Sequence, residues 1–138
     1  MKNRFKYRAW DKENKRYIHD VEKGLQFYST AGNLRVMTLA EIAESSKYNL
    51  EQCTGLRDKN GKLIYEGDVI NATPPDEWSV FDKYNHNGVL GKKRVVMRHG
   101  GFLLNDDNNE DNYWLYWAIT NTCVKIIGNI HENPELLE

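Results

Sequence analysis

The sequence carries almost no net charge: 19 Lys and Arg against 20 Asp and Glu leave −1 over 138 residues. No global field therefore draws the chain to nucleic acid or an anionic membrane, and any such binding needs a local patch. Cysteine is scarce. Cys53 and Cys123 stand far apart with no CxxC pair, and His19, His86, His99 and His131 form no HxH or HExxH spacing, so nothing reads as a zinc site or a disulfide framework. No stretch approaches the roughly 18–20 uninterrupted apolar residues of a membrane span. With no signal-like opening segment either, a cytoplasmic protein with reduced thiols and no membrane partner is expected.

Catalytic motifs are equally sparse. Gly88 to Lys93 reads GVLGKK, but a Walker loop needs glycine where His86 stands and a hydroxyl where Lys93 stands. A KH-type GXXG loop needs helices on both sides, and these flanks read as strand. Asp107, Asn109 and Asp111 mimic the start of a calcium loop, yet position six is Asn112 and position twelve is Ala118, which excludes an EF-hand. No GxSxG elbow surrounds Ser29, Ser45, Ser46 or Ser79. No catalytic, cofactor-binding or metal-ligating residue is assigned, and the chain is expected not to be an enzyme. An enzymatic alternative would need a cation at Asp106, Asp107, Glu110 and Asp111.

What is present is a foldable chain, 40% hydrophobic and 12% aromatic, of about one domain's length. Its neutrality is a cancellation. The residues through Ile70 hold 13 basic and 10 acidic groups (+3), and the remainder 6 and 10 (−4). Met1 to Arg16 alone carries +5, whereas Asn105 to Asn112 reads NDDNNEDN and is expected to be a solvated hairpin loop.

Phe5, Tyr7 and Ala9 alternate with Lys6, Arg8 and Trp10, the period of a strand with one face towards a core. Arg16 to Val21 returns as its hairpin partner after the polar turn Asp11 to Lys15. Leu25 to Tyr28 and Leu34 to Met37 suggest a second hairpin. Thr38 followed by Glu41 is a capping box for a short helix containing Leu39, Ile42 and Ala43. Asn60-Gly61 predicts a type I′ turn between strands Thr54 to Asp58 and Leu63 to Glu66. Pro74 and Pro75 open a loop of about a dozen residues. Strands are expected at Val69 to Thr73, Arg94 to Arg98, Phe102 to Leu104, Tyr113 to Ile119 and Val124 to Ile130, with a terminal helical turn after Asn133. The fold class is mainly β (α+β): an N-terminal β-rich appendage over residues 1–52 with one short helix, and a small barrel or sandwich over 53–138. The two are expected to pack as one compact unit, with Ser45 to Gln52 as the least committed junction.

Three segments, RAWDKENKRY (Arg8 to Tyr17), TGLRDKNGKLIYEGDVI (Thr54 to Ile70) and VKIIGNIHENPELLE (Val124 to Glu138), together resemble the YopX-like family of phage- and prophage-encoded small proteins. Cys53 departs from the aromatic residue expected before the TGL motif. The resemblance implies a C-terminal SH3-type barrel and a tendency to form homo-oligomers, and it supplies no catalytic residues.

Two surfaces remain as candidates. Tyr113, Trp114, Tyr116 and Trp117, read as strand, place two aromatics on each face, and one pair could form a protein interface. Alternatively Phe5, Tyr7 and Leu25 cover that pair within one chain. Lys2, Arg4, Lys6 and Arg8, with Trp10, could follow a phosphate backbone and stack a base, extended by Lys92, Lys93, Arg94 and Arg98 if these share the surface; a solvated edge strand is the plainer reading. The leading expectation is a phage accessory protein of the bacterial cytoplasm, a non-enzymatic module binding itself or a host or phage protein. A weak nucleic-acid binder is the alternative.

Overall fold

Alternation in the first segment builds strand β1 (Tyr7–Asp11), and the tight turn after Asp11 returns the chain as β2 (Arg16–His19). Asp11 shapes that turn by accepting hydrogen bonds from the Glu13 and Asn14 backbone N–H groups and from the Asn14 amide. The computed structural model describes residues 5–98, 100–106 and 109–137. After a 3-10 turn at Val21–Lys23, strands β3 (Leu25–Tyr28) and β4 (Leu34–Met37) form a two-stranded hairpin. Helix α1 (Leu39–Glu44) starts where the capping box predicts: the Thr38 hydroxyl accepts from the Glu41 N–H and the Glu41 carboxylate from the Thr38 N–H.

Strand β5 (Tyr48–Arg57) replaces the expected junction at Ser45 to Gln52. It runs antiparallel to β1, which lies between β2 and β5. The chain divides into two units within β5, after Cys53. In the first unit Ala9, Val21 and Ile42 are the buried centre, with Tyr7, Ile18, Leu25 and Met37 packed around them.

The second unit opens with the hairpin of β5 and β6 (Leu63–Tyr65), but not through a type I′ turn. Such a turn needs positive φ at both central residues, and Asn60 does not have it, whereas Gly61 does at 83°. Instead the Asp58 carboxylate accepts from the Asn60 and Lys62 N–H groups and closes a wider loop. Strand β7 (Asp68–Thr73), helix α2 (Val80–Asn85), β8 (Gly91–Arg98), β9 (Gly101–Asp106), β10 (Asn109–Trp114), helix α3 (Leu115–Asn121) and β11 (Cys123–Asn129) complete it, with a 3-10 turn at Pro134–Leu137. Five strands form an antiparallel sheet in the order β10-β9-β8-β7-β11. Ile64, Ile70, Val89, Val95, Leu104 and Leu115 fill its core. The chain is mainly β, as its alternating segments predict.

Two expectations fail here for local reasons. The stretch after Pro75 is not a structureless loop, because Ser79 and Asp82 form a second capping box and start α2. Tyr113 to Ile119 is not one strand: β10 stops at Trp114 and α3 follows. The NDDNNEDN run is strand at both ends, with Asn109 opposite Asp106. Residues 107 and 108 lie outside the described ones.

Candidate functional surfaces

Among the described residues, the basic strand turns Arg8 into the fold and leaves Lys6 partly accessible. Lys2 and Arg4 lie outside the described residues, and Lys6 is half-buried. Arg8 is buried, its Nε 2.8 Å from Glu51 Oε1, and its guanidinium lies 4.1 Å above the Tyr17 ring. The Tyr17 hydroxyl donates to the same Glu51 oxygen at 3.0 Å. Trp10 is also buried, edge-on to Tyr17 at 5.0 Å. Register explains the cluster: Arg8 stands opposite Glu51 on β5, and Trp10 opposite Tyr17 on β2. β1 is thus an interior strand and not a solvated edge. A guanidinium committed to a carboxylate and a ring face is not offered to phosphate. In the second basic run Lys93 is buried, Arg94 half-buried, and Lys92 and Arg98 exposed.

Helix α3 separates the aromatic quartet differently from a strand. Tyr113 and Trp117, four residues apart, meet at 5.4 Å and pack on the core. Trp114 and Tyr116 are exposed. Trp117 meets His86 at 5.3 Å and His86 in turn meets Trp78 at 5.2 Å, both as tilted ring contacts, so the residues flanking α2 are held by rings. Of the proposed covering residues, Phe5 is exposed, while Tyr7 and Leu25 belong to the core of the first unit.

Two apolar surfaces were not legible as such. Helix α2 buries no residue, and its Val80, Phe81 and Tyr84 are 85%, 70% and 75% exposed. On the β3–β4 hairpin, Tyr28 stands opposite Leu34, and Val36 follows on the same face; all three are exposed. Ser79-x-x-Asp82 was the available signal for α2. On the other face Leu25 pairs with Met37, both half-buried, and Phe27 with Arg35, both exposed, a difference the sequence does not announce.

A cleft of about 400 Å³ in the second unit is lined by Arg57, Lys59, Glu77, Thr120, Asn121 and Cys123 among others. Its polar groups are largely used within the fold: Thr120 Oγ1 donates to the Tyr116 and Trp117 carbonyls, Asn121 Nδ2 to that of Trp117, and Arg57 Nη1 to that of Gly61. Beside it, burial pushes the Asp58 carboxyl up, but the N–H groups of Ile126, Lys62 and Asn60 outweigh burial and hold it below the ordinary carboxylate value. Among the described residues no cluster of three His, Cys, Asp or Glu could hold a metal, and no helix is long and apolar enough to cross a membrane. His99, Asp107 and Asn108 lie outside that set.

No curated protein matches the chain. Among solved structures, protein EF1440 from Enterococcus faecalis is similar over 96% of this chain and 97% of its own, with 24% identity and a TM-score of 0.58. Protein yopX from Bacillus subtilis is similar over 98% and 99%, with 20% identity and a TM-score of 0.59. At such identities these likenesses establish the fold alone. The sequence profile of the YopX protein family matches residues 6–138, and the chain belongs to that family.

Proposed function

We propose that the chain is a phage or prophage accessory protein of the bacterial cytoplasm, a non-enzymatic module that assembles with copies of itself or binds a host or phage protein. The single observation that carries this reading is the exposure of large apolar side chains in groups, on α2, on the β3–β4 hairpin and at Trp114 and Tyr116. Grouped exposed apolar residues mark contact surfaces, because leaving them in water forfeits the free energy that burial against a partner recovers. A short chain also buries a modest core alone and gains from assembly. The antiparallel sheet of the second unit, with the short β6 hairpin preceding it, supports closure as a small SH3-type barrel, a scaffold whose outer faces are free to bind. Cys53, which is buried, and Cys123 are not joined in a disulfide, which suits a reducing compartment.

Light scattering on the purified chain at micromolar concentration tests the self-assembly. A mass above one subunit of 16.2 kDa is expected. A single-subunit mass that gains no partner from host lysate or phage-infected lysate overturns the reading.

A further inference from the structure

We propose that the outer face of the five-stranded sheet, at the end where β11 meets the β5–β6 turn, binds the phosphate backbone of a nucleic-acid duplex. The patch gathers Arg57, Lys59, Lys92 and Lys125, which lie far apart in the sequence. Register places two of them. Asn71 on β7 stands opposite Lys125 on one neighbour and Lys92 on the other, and directly opposed residues share a face. That face points away from the core, because Ile70, Ala72, Val95 and Val124, which alternate with these residues, belong to the core. Lys92 and Lys125 are exposed and Asn71 is half-buried. The β5–β6 turn supplies the other two. Ile126 donates its N–H to Asp58 Oδ2 and Lys59 its N–H to the Val124 carbonyl, which ties the turn along the outer edge of β11 beside Lys125. There Arg57 and Lys59, both exposed, line the cleft together with Cys123. With strands about 4.8 Å apart, the cations form a band about 15 Å wide from Lys59 across Lys125 to Lys92.

The chemistry of the patch selects the ligand. The far end of the face is closed: Gly128, opposite Val69, lies under Asn133 and Leu136 of the terminal turn. The open rows of these three strands present Asn71, Thr73, Lys92, Cys123 and Lys125, with no acid and no aromatic among them. The acids lining the cleft are Glu77 and Asp58, and the Asp58 oxygens are taken by three backbone N–H groups. Among the described residues no carboxylate pairs with Lys59, Lys92 or Lys125. Cations at separate strand positions do not converge on one small anion; they match a polymer of single charges, spaced about 1.7 Å along a duplex axis. Lysine offers a point charge that suits phosphate, whereas a carboxylate partner favours the arginine fork. Without a ring to stack bases, a single strand gains nothing beyond charge, and the denser duplex is held more tightly. The patch uses none of the exposed apolar groups, so it stands apart from the self-assembly reading.

Fluorescence anisotropy with a labelled DNA duplex of about two helical turns, from about 50 to 200 mM salt, tests the proposal. The logarithm of the affinity should fall with the logarithm of salt at a slope of about −3 to −4, near 0.9 per phosphate contacted, and a single strand of equal length should bind more weakly. Lys92→Ala combined with Lys125→Ala should reduce the slope by about 2 and weaken binding about tenfold or more at low salt, with circular dichroism showing an intact fold. Lys12→Ala combined with Lys23→Ala removes the same charge from exposed positions of the first unit and should leave both quantities unchanged. No duplex binding at low salt overturns the proposal, as does a control pair that weakens binding equally or a single strand held as tightly. Poly-glutamate bound more tightly than the duplex also overturns it and makes the partner an acidic protein.

Discussion

Asp58→Ala removes one carboxylate that closes a loop and pins a strand 68 residues away. Oδ1 accepts the N–H groups of Asn60 and Lys62, each at 2.9 Å, and Oδ2 accepts that of Ile126 on β11 at 3.0 Å. A hydrogen bond to a charged group contributes about 1.5–3 kcal/mol net. Asn60 and Lys62 are exposed, and water can replace most of what their N–H groups lose. The Ile126 N–H lies in a strand and is satisfied less readily. Full weight for one bond and partial weight for two gives a loss of about 2–4 kcal/mol. Asp58→Asn should fall between alanine and wild type, since it keeps one acceptor oxygen but turns an amide towards the Ile126 N–H. The folded carboxyl titrates below its ordinary value of 3.8, so its stabilisation is complete above that value and is lost as the pH falls through the lower folded value. The gap between wild type and Asp58→Ala should therefore be constant near neutrality and close below about pH 4. Urea unfolding followed by circular dichroism, repeated across pH, measures all three outcomes. An alanine variant within about 0.5 kcal/mol of wild type, the range of ordinary surface changes, or a gap that widens in acid, would refute the reasoning.

Arg8→Ala should destabilise by about 3–5 kcal/mol, because it leaves the buried Glu51 carboxylate without its cation, whereas Arg8→Met combined with Glu51→Leu should recover most of that loss. A double variant no better than the single ones in urea would contradict the pair as described. Gly128→Ala places a Cβ 2.5 Å from Asn133 Oδ1 and 2.7 Å from Leu136 Cδ1, so thermal melting should show a loss of about 1–3 kcal/mol; a neutral result would mean that the terminal turn yields freely. Thr38→Ala should cost about 1 kcal/mol through the lost cap of α1, and Thr38→Ser should restore it; equal unfolding curves for all three would remove the cap from the account.

Strand alternation, turn residues and the Thr38 capping box carried most of the architecture in the sequence, because each is a local rule with a fixed period or offset. The misses arose where a tertiary or non-local choice decided. Asn60-Gly61 satisfies a tight turn in isolation, but Asp58 stabilises a wider loop by reaching β11 as well as its own neighbours. Tyr113 to Ile119 has strand-like composition, yet helix α3 buries Leu115 and Ala118 three residues apart. Arg8 reads as a surface cation until the register sets Glu51 and Tyr17 beside it. The candidate surfaces were less legible than the fold, since exposure is a property of the whole packing. α2 is the exception: its S-x-x-D start was available between Pro75 and His86.

Hydrogen–deuterium exchange across a dilution series tests the central claim most directly. Helix α2 has no buried residue, so in a lone chain its amides have little beyond their own short turn to protect them. Protection that rises with protein concentration in residues 79–86, in residues 25–37 or around Trp114 and Tyr116, the exposed apolar groups, is the predicted result. Protection that is independent of concentration in all three would contradict the account.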